Sequence, residues 1–344
     1  MRSGPAFVVS QAAALLCRPP SCSAGRRPVT GHIALPSVAR PAPCVGLLLN
    51  LCHQSEVSIS VWRMAPVLTS PLVSTQWLAD HLGADDLLVL DASVHTDGIG
   101  FDMSWHSARD AHERRGHVPG AVYADLIDEF SAAEADLPLT RPGVDRFESA
   151  ARALGVSRAS TVVVYDDGIG EWSARLWWIF RSFGFDAVAV LDGGFPKWRD
   201  EGRPVRVGAL SRTPRPSADA FVAGEERPLW ADRARVLRAV DGSEPAALVM
   251  AADPAVLGDD HPPIVPGSTT IGVRALLDGS NALLRQPELK RALAPVLSAD
   301  EVVTYCGVGS ASCVDALALT VLGHQKVRVY DGSLAEWWRE PIAS

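Results

Sequence analysis

Cys306 is the residue whose surroundings most clearly promise chemistry. It follows the apolar run Val302-Val303-Thr304-Tyr305 and begins Gly307-Val308-Gly309-Ser310-Ala311, ahead of a segment with helical periodicity. Two glycines let a backbone curl until successive amide N–H groups point inward, and a following helix adds the positive end of its dipole. Such a loop holds a thiolate or a persulfide anion, lowering the thiol pKa and keeping the sulfur nucleophilic near neutral pH. The plain alternative is a small, packed apolar residue at a strand end; the loop that follows argues against it. Cys306 is therefore the expected nucleophile, and Gly307, Val308, Gly309, Ser310 and Ala311 the expected substrate-binding cradle. Cys313, seven residues on, reads as a buried helix residue rather than a resolving thiol. No Cys-x2-Cys pair occurs and histidines are scattered, so no metal or other cofactor is expected.

The elements that must position this loop come as a repeat. Val162-Val163-Val164-Tyr165-Asp166 matches Val302-Val303-Thr304-Tyr305-Cys306, and Val190-Leu191-Asp192-Gly193-Gly194 with Trp198 matches Val329-Tyr330-Asp331-Gly332-Ser333 with Trp337. His117-Val118-Pro119-Gly120 matches Ile264-Val265-Pro266-Gly267, and Val89 to Ser93 matches Leu248 to Ala252. Asp166 to Asp192 is 26 residues and Cys306 to Asp331 is 25. Four blocks in the same order imply a duplicated unit. Within each copy short apolar strands alternate with amphipathic helices, at Gln76 to Leu82, Ser173 to Phe183, Arg233 to Val240 and Ser312 to Leu322, which predicts an α/β fold with a parallel sheet flanked by helices. The expected division is domain 1 over 70–205, a Pro-rich linker over 206–228 and domain 2 over 229–344.

Composition bounds the function. Hydrophobic residues make up 47% of the 344 and charged residues 21%, enough to bury a core. The net charge of −8 argues against a nucleic-acid partner, which needs clustered cations. Residues 1–63 differ from the rest: six Arg against one acid, no sustained period, and four of the six cysteines. They read as a disordered or mis-assigned extension, with Met64 the natural start and a targeting segment the alternative. No run reaches the ~18 apolar residues that span a bilayer, so no membrane association is expected. A thiolate nucleophile favours a reducing, cytoplasmic location.

With these residues in view, the chain resembles the two-domain rhodanese family, the thiosulfate and 3-mercaptopyruvate sulfurtransferases. The likeness runs from Leu72 to Pro341 and rests on Gly116-His117-Val118-Pro119-Gly120-Ala121, Leu191-Asp192-Gly193-Gly194 with Trp198, Cys306-Gly307-x-Gly309, and Tyr330-Asp331-Gly332-Ser333 with Trp337. It implies two tandem rhodanese-like domains, the first without a reactive cysteine, consistent with Asp166. It also implies a ping-pong cycle, in which Cys306 takes a sulfane sulfur from a small-molecule donor and passes it to cyanide, a thiol or thioredoxin.

The chain departs from the family in ways that bear on the donor. Basic residues after the cysteine, typical of thiosulfate-preferring members, are replaced by Gly307 and Val308, which favours the mercaptopyruvate type. That type usually carries Ser or Thr where Val308 stands. A C-x5-R phosphatase is excluded by Ser312 at the required Arg position. The family's anion-gripping arginines are missing near Ala252 and Val256, no Arg occurring from Ala251 through Ile271, which leaves Arg274 and Arg285 as the cations to compensate. This loss motivates a rival reading, a degenerate rhodanese-domain protein that binds a partner or relays persulfide without efficient donor turnover. His117 is expected to tie loop backbone together, Asp192 and Asp331 to cap their own Gly turns, and the tryptophans to pack helices on sheets or fill the domain interface.

Overall fold

Short β-branched runs bounded by Gly loops set the strands, and amphipathic stretches between them set the helices. The computed structural model describes residues 66–98, 103–209, 221–253 and 262–339. The extension 1–63, the middle of the linker and the stretch Pro254 to His261 lie outside them. Chain order in the first half is β1 (Leu72–Val73), α1 (Thr75–His81), β2 (Leu87–Asp91), β3 (Val94–Asp97), β4 (Ser104–Ser107), α2 (Arg109–Arg115), β5 (Val122–Tyr123), α3 (Val144–Ala153), β6 (Thr161–Tyr165), α4 (Glu171–Ser182), β7 (Val188–Leu191) and α5 (Gly194–Asp200). The second half runs β8 (Trp230–Ala231), α6 (Arg233–Val240), β9 (Ala247–Met250), β10 (Thr269–Thr270), a 3-10 turn (Val273–Leu276), α7 (Gln286–Ala292), β11 (Val302–Tyr305), α8 (Ser312–Val321), β12 (Val327–Tyr330) and α9 (Ser333–Trp337).

Each half builds a five-stranded parallel sheet, with orders β1-β7-β6-β2-β5 and β10-β9-β11-β12-β8. Read from the opposite edge, the second order repeats the first, strand for strand. The strands of β6 and β11 are buried at every position, as expected for a central strand covered on both faces. An antiparallel hairpin, β3 with β4, is an addition to the first half.

Both halves lie within one compact unit, residues 61–344, and α4 packs against α8 across their boundary. Trp177 and Trp178 of α4 are fully buried, and the Trp178 indole N–H donates to the Leu229 carbonyl at 3.2 Å. The described ends of the linker follow the first half: Arg206 bridges His117, while Phe221 packs against Phe147 and Phe185. His117 ties loop backbone together as expected, its Nδ1 lying 3.0 Å from the His112 carbonyl oxygen and its ring stacking on that of His112.

Asp192 and Asp331 do not cap their own turns. Asp192 accepts the Leu283 N–H at 2.8 Å, and Asp331 accepts the Arg141 N–H at 3.0 Å. Each turn projects its carboxylate outward to the opposite half, so the duplicated residues form a reciprocal pair of cross-links. Replacing Asp192 with Ala strands a partly buried N–H, and the expected loss is about 1–3 kcal/mol. It is read as a lower urea midpoint at unchanged m-value.

Candidate functional site

The parallel register places the site. Tyr305 of β11 pairs with Met250 of β9, and the Ala251 N–H donates to the Tyr305 carbonyl at 2.8 Å. Cys306 and Ala252 therefore leave adjacent strands at the same carboxyl edge, where open α/β sheets bind ligands.

From that edge the chain curls as the two glycines require. Gly309 has φ +83°, and its N–H donates to the Cys306 Sγ at 3.1 Å. The amides of Val308, Ser310 and Ala311 make no hydrogen bond to another described residue. Ser333, at the turn into α9, holds the cysteine backbone from the other side: its Oγ accepts the Cys306 N–H at 3.2 Å and donates to the Tyr330 carbonyl at 2.7 Å. Ser333 has φ +48°, where the first half has Gly194 at +57°, and a left-handed conformation is costly for a residue with a Cβ. Its two hydrogen bonds offset that cost.

Arg175 of α4 locks the loop from beneath. Only 3% of its side chain is exposed; Nη1 donates to the Gly309 carbonyl at 3.1 Å, and Nη2 to the Leu139 carbonyl at 2.5 Å and to Asp331 Oδ1 at 2.7 Å. Burial works against its charge, but Asp331, with Cys313 and Cys306, outweighs this and raises the pKa. Cys313 is fully buried with its Sγ 3.2 Å from the Gly309 carbonyl, and burial pushes its thiol up to about 12, so it stays protonated at ordinary pH.

The loop opens on a cavity of about 350 Å³. Gly307, Val308, Ser310 and Ala311 line it with Cys306; Gly309 does not, its N–H being directed to the thiol and its carbonyl to Arg175. Trp172 and Glu171 of α4, Met103 and Trp105 at the β3–β4 hairpin, Pro138, Ala252, Ala335, Trp338 and Arg339 complete the wall. Neither Arg274 nor Arg285 is among them. Arg274 is 70% exposed and faces Asp253 at 3.5 Å, so the cation at the wall is Arg339.

The first half holds the counterpart of this loop with Asp166 in place of the cysteine. Asp166 Oδ1 accepts the N–H groups of Gly168 and Gly170 at 2.8 and 3.1 Å, and Oδ2 the N–H and Oγ–H of Ser173 at 2.8 Å each. A fixed carboxylate fills that turn. Among the described residues no cluster of His, Cys, Asp and Glu is arranged to hold a metal, and no helix is long and apolar enough to cross a membrane.

Comparison with known proteins agrees with the geometry. A family model described as the rhodanese-like domain matches residues 74–201 and 263–340. The 3-mercaptopyruvate sulfurtransferase of Mus musculus is 34% identical, over 80% of this chain and 94% of its own. The thiosulfate sulfurtransferase of Cricetulus griseus is 33% identical, over 80% and 94%. The crystal structure of SseA from Escherichia coli, described as a 3-mercaptopyruvate sulfotransferase, matches 77% of this chain and 99% of its own with a TM-score of 0.64 at 26% identity.

Two outcomes test the site as built. Arg175→Met leaves Asp331 without its buried partner, with an expected loss of about 3–5 kcal/mol in denaturant unfolding. In native protein alkylated at pH 8 and mapped by peptide mass, Cys313 is expected to remain unmodified.

Proposed function

The chain belongs to the rhodanese-like family and is a sulfurtransferase, and on that premise we propose that the transferred sulfur is carried as a persulfide on Cys306. The observation that carries this reading is the thiol at a strand end, bonded by one loop amide, with further amides unengaged and an open cavity before it. The Cys306 thiolate attacks the outer sulfur of thiosulfate, breaking its S–S bond and releasing sulfite, or the thiol sulfur of 3-mercaptopyruvate, breaking its C–S bond and releasing the enolate of pyruvate. The persulfide then yields its outer sulfur to a thiophilic acceptor such as cyanide, a thiol or thioredoxin, regenerating the thiolate. Cradle amides from Gly307 to Ala311 stabilise the sulfur anion in both directions.

The wall discriminates between donors. Val308 brings no charge, Ala252 stands where the family usually has its anion-gripping Arg, and Arg339 is the cation present. A dianion such as thiosulfate gains less from one cation than it loses in hydration, so the mono-anionic 3-mercaptopyruvate is the favoured donor. A reducing compartment, in our reading the cytoplasm, keeps the nucleophile available between cycles.

Cys306→Ser is expected to abolish both turnover with either donor and the gain of one sulfur atom in intact mass. Full transfer by that variant would falsify the assignment. Ala252→Arg restores a cation at the cavity wall and is expected to raise kcat/KM for thiosulfate roughly tenfold, the low end of a charge-assisted hydrogen bond. Steady-state assays with cyanide as acceptor measure it.

A further inference from the structure

Glu171 opens α4 in the first half yet contributes its side chain to the wall of the Cys306 cavity, where it is the only carboxyl group among the lining residues. Its carboxyl makes no hydrogen bond or ion pair with a described residue. Arg175, one turn further along the same helix, is committed to Asp331 and the Gly309 and Leu139 carbonyls. The cavity wall that Glu171 joins is largely apolar, with Trp105, Trp172, Pro138 and Trp338. A carboxylate at a helix N-terminus is normally stabilised by the dipole. Here burial overrides that and, with repulsion from Asp166 and Asp253 against a smaller attraction to Arg274, pushes the pKa up to about 7. Cys306 and Arg339 are the other ionisable groups lining the cavity. Val308 has no hydroxyl to pass a proton.

Resting on the Cys306 persulfide reading, we propose that Glu171 is the proton carrier of the transfer cycle, donating to the carbon that leaves 3-mercaptopyruvate and recovering the proton from the acceptor thiol. In the first half-reaction the Cys306 thiolate takes the SH group of 3-mercaptopyruvate, the C–S bond breaks, and its electron pair goes to C3. The Glu171 carboxylic acid protonates that carbon, giving pyruvate, the Cys306 persulfide and a Glu171 carboxylate. In the second half-reaction the acceptor thiol loses its proton to that carboxylate as its sulfur attacks the outer persulfide sulfur. A substituted persulfide leaves, and thiolate and carboxylic acid are restored. Charge and protons balance over each half. Thiosulfate needs no such donor, because sulfite departs as a stable dianion without taking a proton.

That contrast supplies the test. Single-turnover loading of wild type and Glu171→Gln is followed from pH 5.5 to 9 with each donor, by pyruvate or sulfite release and by intact mass. For wild type, loading from 3-mercaptopyruvate is expected to fall as pH rises through about 7, because the donating form is the acid. Glu171→Gln is expected to lose about 10²-fold with this donor, the usual scale of general acid catalysis, and to lose that limb of the profile. Glu171→Asp, which keeps the acid, should retain the limb. With thiosulfate, Glu171→Gln should load faster than wild type, since a negative charge has left the path of a dianion. Equal losses with both donors, or an unchanged profile with 3-mercaptopyruvate, would overturn the proton role while leaving the persulfide reading intact. A wild-type enzyme that loads from thiosulfate but not from 3-mercaptopyruvate removes the donor and the proposal with it; one that loads from neither removes the persulfide reading.

Discussion

The buried guanidinium of Arg175 is the constraint on which the rest of the site depends. A cation at 3% exposure persists only if its donors and its charge are satisfied, and here two backbone carbonyls and one carboxylate do so. Those partners come from different places: Leu139 from the first half, Gly309 from the cysteine loop, and Asp331 from the turn before α9. The Trp230 ring lies 4.8 Å from the guanidinium carbon and adds a cation–π contact. Arg175 holds the Gly309 carbonyl, and the planar trans peptide turns the Ser310 N–H the opposite way, while the Gly309 N–H faces the Cys306 sulfur. A Cβ at Gly309 would sit 2.8 Å from the Asp331 carbonyl oxygen and 2.9 Å from Nη1, so the close approach requires glycine as much as the positive φ does. The loop's shape is thus a property of both halves together.

The cavity has the same dual origin. Parallel strands deliver Cys306 and Ala252 to one edge, but the opposite wall is Trp105 and Met103 at the hairpin, Pro138, and the first two residues of α4. Forming the cavity between two copies lets one supply the cysteine loop while the other supplies apolar walls and, in Glu171, a carboxyl group. Burial at that wall is the largest cause of the raised carboxyl pKa of Glu171.

Much of this was legible in the sequence. The duplication shows as four ordered blocks, and Cys306 stands out because strand, Gly loop and helix are local patterns. The family model, matching once in each copy, agrees with the duplication. Local reasoning fails where a partner is distant in the chain. Asp192 and Asp331 look like turn caps because Asp before Gly usually is one; nothing nearby announces Leu283 or Arg141 as partners. Arg175 lies 131 residues before Cys306, and its immediate neighbours are the signal available: an Arg flanked by Ala174, Leu176 and Trp177 on a buried stretch of helix must find a counter-charge. Arg274, chosen as a substitute cation for want of others, is drawn instead to Asp253. Helix α4 begins at Glu171, two residues before the expected Ser173, because Gly170 at φ +90° sets the start.

The two versions of the turn explain what one residue change accomplishes. In the first half Asp166 is covalently part of the chain and takes four hydrogen bonds, so the turn is permanently filled by its own anion. Placing Cys306 there removes two oxygens and leaves one sulfur, which engages a single amide. The remaining donors must then be satisfied by water or by an anion that enters from outside. A persulfide extends the sulfur by one atom into that space, where a carboxylate would compete with it and a thiol does not. The strain at Ser333, tolerated because its hydroxyl holds the Cys306 N–H, fixes the backbone from which that extra atom must project. Specificity then falls to the wall, where one exposed cation and one half-buried acid face a donor whose charge depends on its leaving group.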